Sequence, residues 1–406
     1  MPASTTLSDS ELIGIDVNGH MTPFHAIFLR DSCSCAACID PSTRQKLFQT
    51  ADIPLELRPR IEQSTDETVR LSWENDVAGF SSDHETVISK AFLADVLALQ
   101  TKVLREKTED PQTQLYWDAA QMEKENSSIS YHDYQSTAGG VFEIVDRLWR
   151  YGLAFLKDVP DEVDSIEKIA TRIGPLRNSF YGTTWDVRSI PNSKNIAYTD
   201  KFLGLHMDLL YMVNPPRIQI LHSLRARAPG GASMFSDSFR AAELLQRSNI
   251  AGFRSLATFP VTYHYDNDGQ HYRFTRPTVE LVGITDVNSL TDSDLAAARI
   301  ERINWSPPFQ GPFSAGFGVH DSAVALKSYL AAAKTFNESL NSEEHMYEYR
   351  LKEGEAVVFD NRRVLHARRA FDAQGGERWL RGGYVDEDVW KSQIRVAGKR
   401  ISDNQS

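Results

Sequence analysis

The chain has 406 residues, 41% hydrophobic and 24% charged, an ordinary globular balance. Its 44 Lys and Arg against 55 Asp and Glu leave a formal net charge of −11, which disfavours a nucleic-acid backbone as partner. No apolar run approaches the ~18 residues of a membrane span, and 3 cysteines are too few for a disulfide framework.

Met1 to His20 contains no Lys or Arg and no sustained apolar stretch, so neither a secretory nor a transit peptide is expected and the cytoplasm is the default compartment. The composition shifts once, in a polar and charged stretch around Glu106-Lys107-Thr108-Glu109-Asp110. This divides the chain into a front module over 1–100, a connecting segment over 101–136 and a larger body over 137–406. In the front module, Phe24 to Leu29 and Val69 to Trp73 read as strands. The body opens with a helix, because Val141, Ile144, Val145 and Leu148 recur at helical spacing until Gly152. Leu153 to Leu156 then reads as a buried strand, and Ser165 to Ile173 as a second helix. Strands follow at Ile218–His222, Val261–Tyr265, Tyr272–Thr275, Ala356–Phe359 and Leu380–Val385. One more helix carries Leu326, Tyr329, Leu330 and Ala333. Many short strands with few helices predict a mainly β jelly roll with flanking helices.

All three cysteines fall in Cys33-Ser34-Cys35-Ala36-Ala37-Cys38. Three thiolates this close can face one cation, and Zn(II) with Cys₃His ligation is the usual occupant. His84 and His25 are the candidates for the fourth ligand. His84 is preferred, because it lies in a turn-like stretch beyond the Trp73 strand and would tie the module together.

His-x-Asp occurs twice, at His206-Met207-Asp208 and at His264-Tyr265-Asp266. On a strand, residues i and i+2 share a face, so such a pair can converge on one ion. The second copy flanks Asp268-Gly269 among alternating aromatics, a hairpin signal that accounts for it. The first has no such explanation. His366, after the apolar run Ala356 to Phe359, is the candidate distal ligand; two His and one carboxylate form the non-haem Fe(II) facial triad. Arg378 follows on the next strand, and its planar fork suits a dicarboxylate cosubstrate.

These residues resemble the gamma-butyrobetaine dioxygenase and trimethyllysine dioxygenase family of Fe(II)/2-oxoglutarate oxygenases. The similarity runs from Phe24 to about Arg395. It is densest at His25 to Gln45, Phe180 to Trp185, Asn195 to Thr199, Pro215 to Asp237 and Phe359 to Tyr384. The resemblance implies a zinc-binding β module on Cys33, Cys35, Cys38 and His84, and a double-stranded β-helix body with iron on His206, Asp208 and His366. It also implies 2-oxoglutarate held by Arg378, with help from the Leu221 backbone and Ser233, and O₂ as second cosubstrate. An aromatic cage of Tyr181, Trp185, Tyr198 and Tyr384 would hold a trimethylammonium group, which binds ring faces because it has no N–H to donate. Asn195 would help to hold a substrate carboxylate, but its usual partner position carries Ser306. The implied activity is hydroxylation of gamma-butyrobetaine to L-carnitine, in carnitine biosynthesis, by a cytoplasmic homodimer. The alternatives are oxygenation of another quaternary amine, such as trimethyllysine or a specialised metabolite, and a catalytically dead zinc-stabilised binding protein.

Overall fold

A computed structural model describes residues 12–101, 114–126, 128–188, 199–314 and 320–405. The chain falls into two compact units, Met1–Arg105 and Glu106–Ser406. Among the described residues no helix is long and apolar enough to cross a membrane.

In the first unit, Leu12–Val17 and His20–His25 pair as a hairpin around Asn18-Gly19, both at positive φ as that turn requires. Pro59–Ser64, Thr68–Trp73 and Glu85–Ser89 form a three-stranded antiparallel sheet. Val69, Leu71 and Trp73 alternate onto its buried face, joining Ile15, Val17, Phe24 and Leu29 in the core. The strand expected at Phe24 to Leu29 is not there. His25 ends a strand, and Ala26–Asp31 is a helix capped by the His25 ring, whose Nδ1 accepts from Ile27 N at 3.2 Å. Six apolar residues do not distinguish the two structures by periodicity; the helix wins because it buries Ala26, Leu29 and Arg30 together.

Two facing sheets build the second unit. The larger has the order Ile129–Ser130, Leu153–Lys157, Glu355–Asp360, Ile218–Ala226, Arg378–Val385, Thr184–Arg188. The smaller has the order Tyr347–Tyr349, Ser233–Asp237, Val364–Arg368, Leu203–His206. All pairings are antiparallel except that between Ile129–Ser130 and Leu153–Lys157. This is the jelly roll with flanking helices. Leu221, Val357, Phe359 and Phe235 face inward between the sheets. Ile218, Ile220 and Val358 face outward beneath helix Ala138–Tyr151, whose Ile144, Val145 and Leu148 cover them. Thr137 caps that helix and Gly152, at φ 72°, ends it.

Two parts of the body differ from the sequence reading. Part of the stretch assigned to a connecting segment is folded into the second unit: Ala119–Glu125 and Tyr131–Ser136 are helices, and Trp117 is buried with its indole N–H on Tyr151 O at 2.7 Å. The helices are also more numerous than expected. Ser238–Ser248 and Ile250–Thr258, capped by Asp237 and Asn249, bury Phe239, Ala242, Leu245, Phe253 and Leu256.

Candidate active site and metal centres

Helix Ala26–Asp31 delivers the chain into the cysteine turn of the first unit. The sulfurs of Cys33, Cys35 and Cys38 lie 3.6, 3.4 and 3.4 Å from His84 Nε2. A zinc tetrahedron with Zn–S of ~2.3 Å and Zn–N of ~2.05 Å has S–N edges of ~3.6 Å, so the spacing fits that ion. Asp76 fixes the His84 ring through Nδ1 at 2.6 Å, leaving Nε2 to face the sulfurs. The buried Arg30 bonds Asp76 and donates to Cys38 Sγ at 3.3 Å. It lies between the rings of Phe48 and Phe80. Burial and the neighbouring Cys33 push the Cys38 thiol up to about 12.

In the second unit His206 and His366 are direct cross-strand partners. Their rings stand 4.1 Å apart, and the ligand atoms of His206, Asp208 and His366 all lie within 4.8 Å of one another. His206 Nδ1 donates to Gly204 O at 2.8 Å, which leaves Nε2 as the free acceptor. Burial, reinforced by His206, pushes His366 down to about 3, so its ring is neutral and can donate a lone pair. Burial alone would raise the Asp208 carboxyl. The two imidazoles beside it and the Tyr384 hydroxyl at 2.7 Å together hold it below the usual carboxylate range.

Asp208 does not reach the site by strand alternation, as the sequence reading supposed. The strand ends at His206. Asp208 lies in the turn beyond, and Leu209 adopts φ 62°, a left-handed conformation uncommon for leucine. Asn361 compels this turn. Its Oδ1 accepts from Asp208 N at 2.8 Å, and its Nδ2 donates to Asp208 O at 3.0 Å and to Pro216 O at 3.2 Å. The two next residues are buried as firmly: Arg362 donates to Asn304, and Arg363 forks onto Asp237 at 2.8 and 3.1 Å.

One cavity opens from the three ligands. Its walls include Tyr181, Trp185, Tyr211, Phe309 and Tyr384, and its polar lining includes Gln219, Ser233 and Arg378. On the strand Arg378–Val385, residues 378, 380, 382 and 384 alternate onto the cavity face. Arg378 has no carboxylate partner among the described residues, and burial with the nearby Arg368 pushes it down to about 9. It is therefore charged at neutral pH and free to clasp an anion. Gly231, at φ 68°, gives it room, because an added Cβ would stand 2.9 Å from Arg378 Nε. The donor set fits a ferrous ion, and the unpaired guanidinium in the same cavity fits a dicarboxylate.

His206, Asp208, His366, Arg378, Ser233, Tyr181, Trp185 and Tyr384 are thus gathered at this cavity. Leu221 lines it too, but its strand is paired on both sides, so it offers a side chain rather than a free backbone group. Asn195 and Tyr198 lie outside the described residues. Ser306 is buried as the cap of a short turn, Pro307–Phe309, and Phe309, not Ser306, lines the cavity from this loop. His264 and Asp266 are exposed on the hairpin Val261–Asn267 and Gln270–Arg276 and belong to neither candidate metal group among the described residues. Asn361, Gln219, Tyr211 and Phe309 were missed. Asp360-Asn361-Arg362-Arg363 offered a signal, since four polar residues in a row at the end of a core strand need partners.

The sequence profile of the family described as taurine catabolism dioxygenase TauD, TfdA family matches residues 112–384. The profile described as gamma-butyrobetaine hydroxylase-like, N-terminal, matches residues 8–88. The chain is similar to Dioxygenase str8 of Strobilurus tenacellus, at 38% identity over 91% of this chain and 84% of that protein. It is similar to gamma-butyrobetaine dioxygenase of Pseudomonas sp. (strain AK-1), at 30% identity over 93% of this chain and 91% of that protein. Trimethyllysine dioxygenase of Rattus norvegicus is 25% identical over 92% of this chain and 83% of that protein.

Asn361→Ala removes the clasp on Asp208 without touching a ligand atom. Metal titration should show Mn(II) affinity falling roughly 10- to 100-fold while the fold persists. Unchanged affinity would separate Asn361 from the positioning of Asp208.

Proposed function

This chain belongs to the taurine catabolism dioxygenase TauD, TfdA family, and we propose that it hydroxylates an unactivated C–H bond of a trimethylammonium substrate, with gamma-butyrobetaine the first candidate. The protein is a dioxygenase, and its family is Fe(II)- and 2-oxoglutarate-dependent. The observation that carries the substrate reading is the aromatic wall beside the three metal-facing side chains. A quaternary ammonium is recognised by ring faces, worth up to ~2 kcal/mol when desolvated.

In this reading His206, Asp208 and His366 hold iron, and Arg378 with Ser233 holds the remote carboxylate of 2-oxoglutarate. Bound there, iron would activate O₂, one oxygen atom ending in succinate as 2-oxoglutarate loses CO₂ and the other in the hydroxylated substrate. The chain's own groups do the rest. Tyr384 donates to Asp208 Oδ2 and so keeps one carboxylate oxygen occupied, leaving the other as the atom that would ligate the ion. Burial and the Asp208 charge push the Tyr384 hydroxyl well up, so it remains a donor at any working pH. Trp185, Tyr181 and Phe309 exclude water and fix which substrate carbon faces the metal. We also assign zinc to Cys33, Cys35, Cys38 and His84, on the tetrahedral spacing.

A second reading, oxygenation of a different substrate, is favoured by specific observations. Trp185 and Tyr384 stack on each other at 4.0 Å, and an alanine-sized side chain at Gly382 would stand 2.7 Å from the indole. Two of the cage rings therefore spend a face on one another. Ser306 does not line the cavity, so its loop offers Phe309 where a carboxylate partner was expected. The identity to Dioxygenase str8 also exceeds that to gamma-butyrobetaine dioxygenase.

A succinate-release screen over gamma-butyrobetaine, trimethyllysine, other quaternary amines and uncharged aromatic compounds separates these readings. Stimulation by a quaternary amine is expected; stimulation by uncharged compounds alone would overturn the first reading. His206→Ala should abolish succinate release, whereas His264→Ala should leave most of it, and the reverse would refute the choice of ligands. Elemental analysis should find one zinc per chain that survives iron chelation. Cys35→Ser should lose that zinc and lower the melting temperature, because a structural zinc contributes folding free energy; retained zinc would refute the assignment.

A further inference from the structure

Gln219 lies on the strand Ile218–Ala226, and its side chain lines the cavity with that of Leu221. The residue is 2% exposed, and its amide oxygen has no hydrogen-bond partner among the described residues. A buried amide without a partner destabilises a fold, so a polar atom in this place needs something to bind. Turning the amide by 180° exchanges oxygen and nitrogen in nearly the same space, so the vacant position can present a donor as readily as an acceptor.

The neighbours identify the binding group. Gln219 pairs in register with Phe359 on one side and Tyr384 on the other. The Phe359 ring packs on His366 at 4.9 Å, and the Tyr384 hydroxyl bonds Asp208. Gln219 is therefore flanked by residues that touch two of the three metal-facing side chains. Further along the same pair of strands, Leu221 sits opposite Gly382, and Arg378 lies beyond, opposite Ala226. A keto-diacid stretched from a metal on these side chains to Arg378 would run along this line, with its keto-acid end at Gln219.

We infer that Gln219 is a cosubstrate-binding residue whose side-chain amide donates to the metal-side carboxylate of 2-oxoglutarate. This rests on the reading that places 2-oxoglutarate between the metal and Arg378.

The test is titration of 2-oxoglutarate into Mn(II)-loaded full-length protein, with no turnover, alongside Mn(II) affinity and melting temperature. Gln219→Leu should weaken 2-oxoglutarate binding about tenfold, the loss of one hydrogen bond to a charged group, with Mn(II) affinity kept and the melting temperature equal or higher. Gln219→Glu should weaken it further, by placing a second negative charge against the carboxylate. Unchanged 2-oxoglutarate affinity in both variants, or a parallel loss of Mn(II), overturns the inference. Arg378→Met separates the two levels. If it weakens 2-oxoglutarate binding and the Gln219 variants do not, only the Gln219 assignment fails; if it has no effect, the placement of 2-oxoglutarate fails with it.

Discussion

The active site depends on one constraint: Asp208, in a turn, must be held against two histidines that are fixed by sheet register. His206 and His366 need no special device, because antiparallel pairing sets them opposite each other. Asp208 does. Its turn includes a leucine in a left-handed conformation, which persists only where the surroundings over-determine it. Asn361 does so, bonding both the N–H and the C=O of Asp208. Asn361 is itself anchored by a turn whose next residues are buried in bonds to Asn304 and Asp237. The short turn Asp360–Arg363, between two core strands, thus determines the spacing of residues more than 150 positions apart.

The same logic explains why the cavity carries polar groups that look costly on their own. Arg378 is a buried charge without a carboxylate partner among the described residues, and Gln219 holds an unpaired amide oxygen. Such groups are tolerated where a bound ligand satisfies them. Both lie on strands that cross beneath the metal-facing residues, at positions whose side chains alternate inward. The rest of the lining is largely aromatic and apolar, which excludes water and leaves shape and ring faces to choose the substrate.

Much of this was legible in the sequence where the signal was local. Three cysteines within six residues announced the cluster that His84 completes, and the Asp268-Gly269 hairpin accounted for His264 and Asp266, which lie outside it and outside the His206, Asp208 and His366 group. The helix Ala138–Tyr151 and the strands around Leu153, Ile218, Ala356 and Leu380 followed from periodicity and from glycine punctuation. What failed was non-local or ambiguous. Phe24 to Leu29 reads equally as strand or helix until the burial of Leu29 and Arg30 decides it. Asn361 and Gln219 carry no motif, because their roles exist only once distant strands are paired. The helices from Ser238 to Thr258 were passed over although Asp237 and Asn249 are good caps, since the strand-rich surroundings dominated the reading.

The central claim is that His206, Asp208 and His366 jointly bind the catalytic ion. A crystal structure of Mn(II)-soaked protein, with anomalous scattering at the manganese edge, tests it most directly. The account predicts one anomalous peak bonded to His206 Nε2, His366 Nε2 and an Asp208 carboxylate oxygen. A peak elsewhere in the second unit, or none between these three side chains, would contradict it.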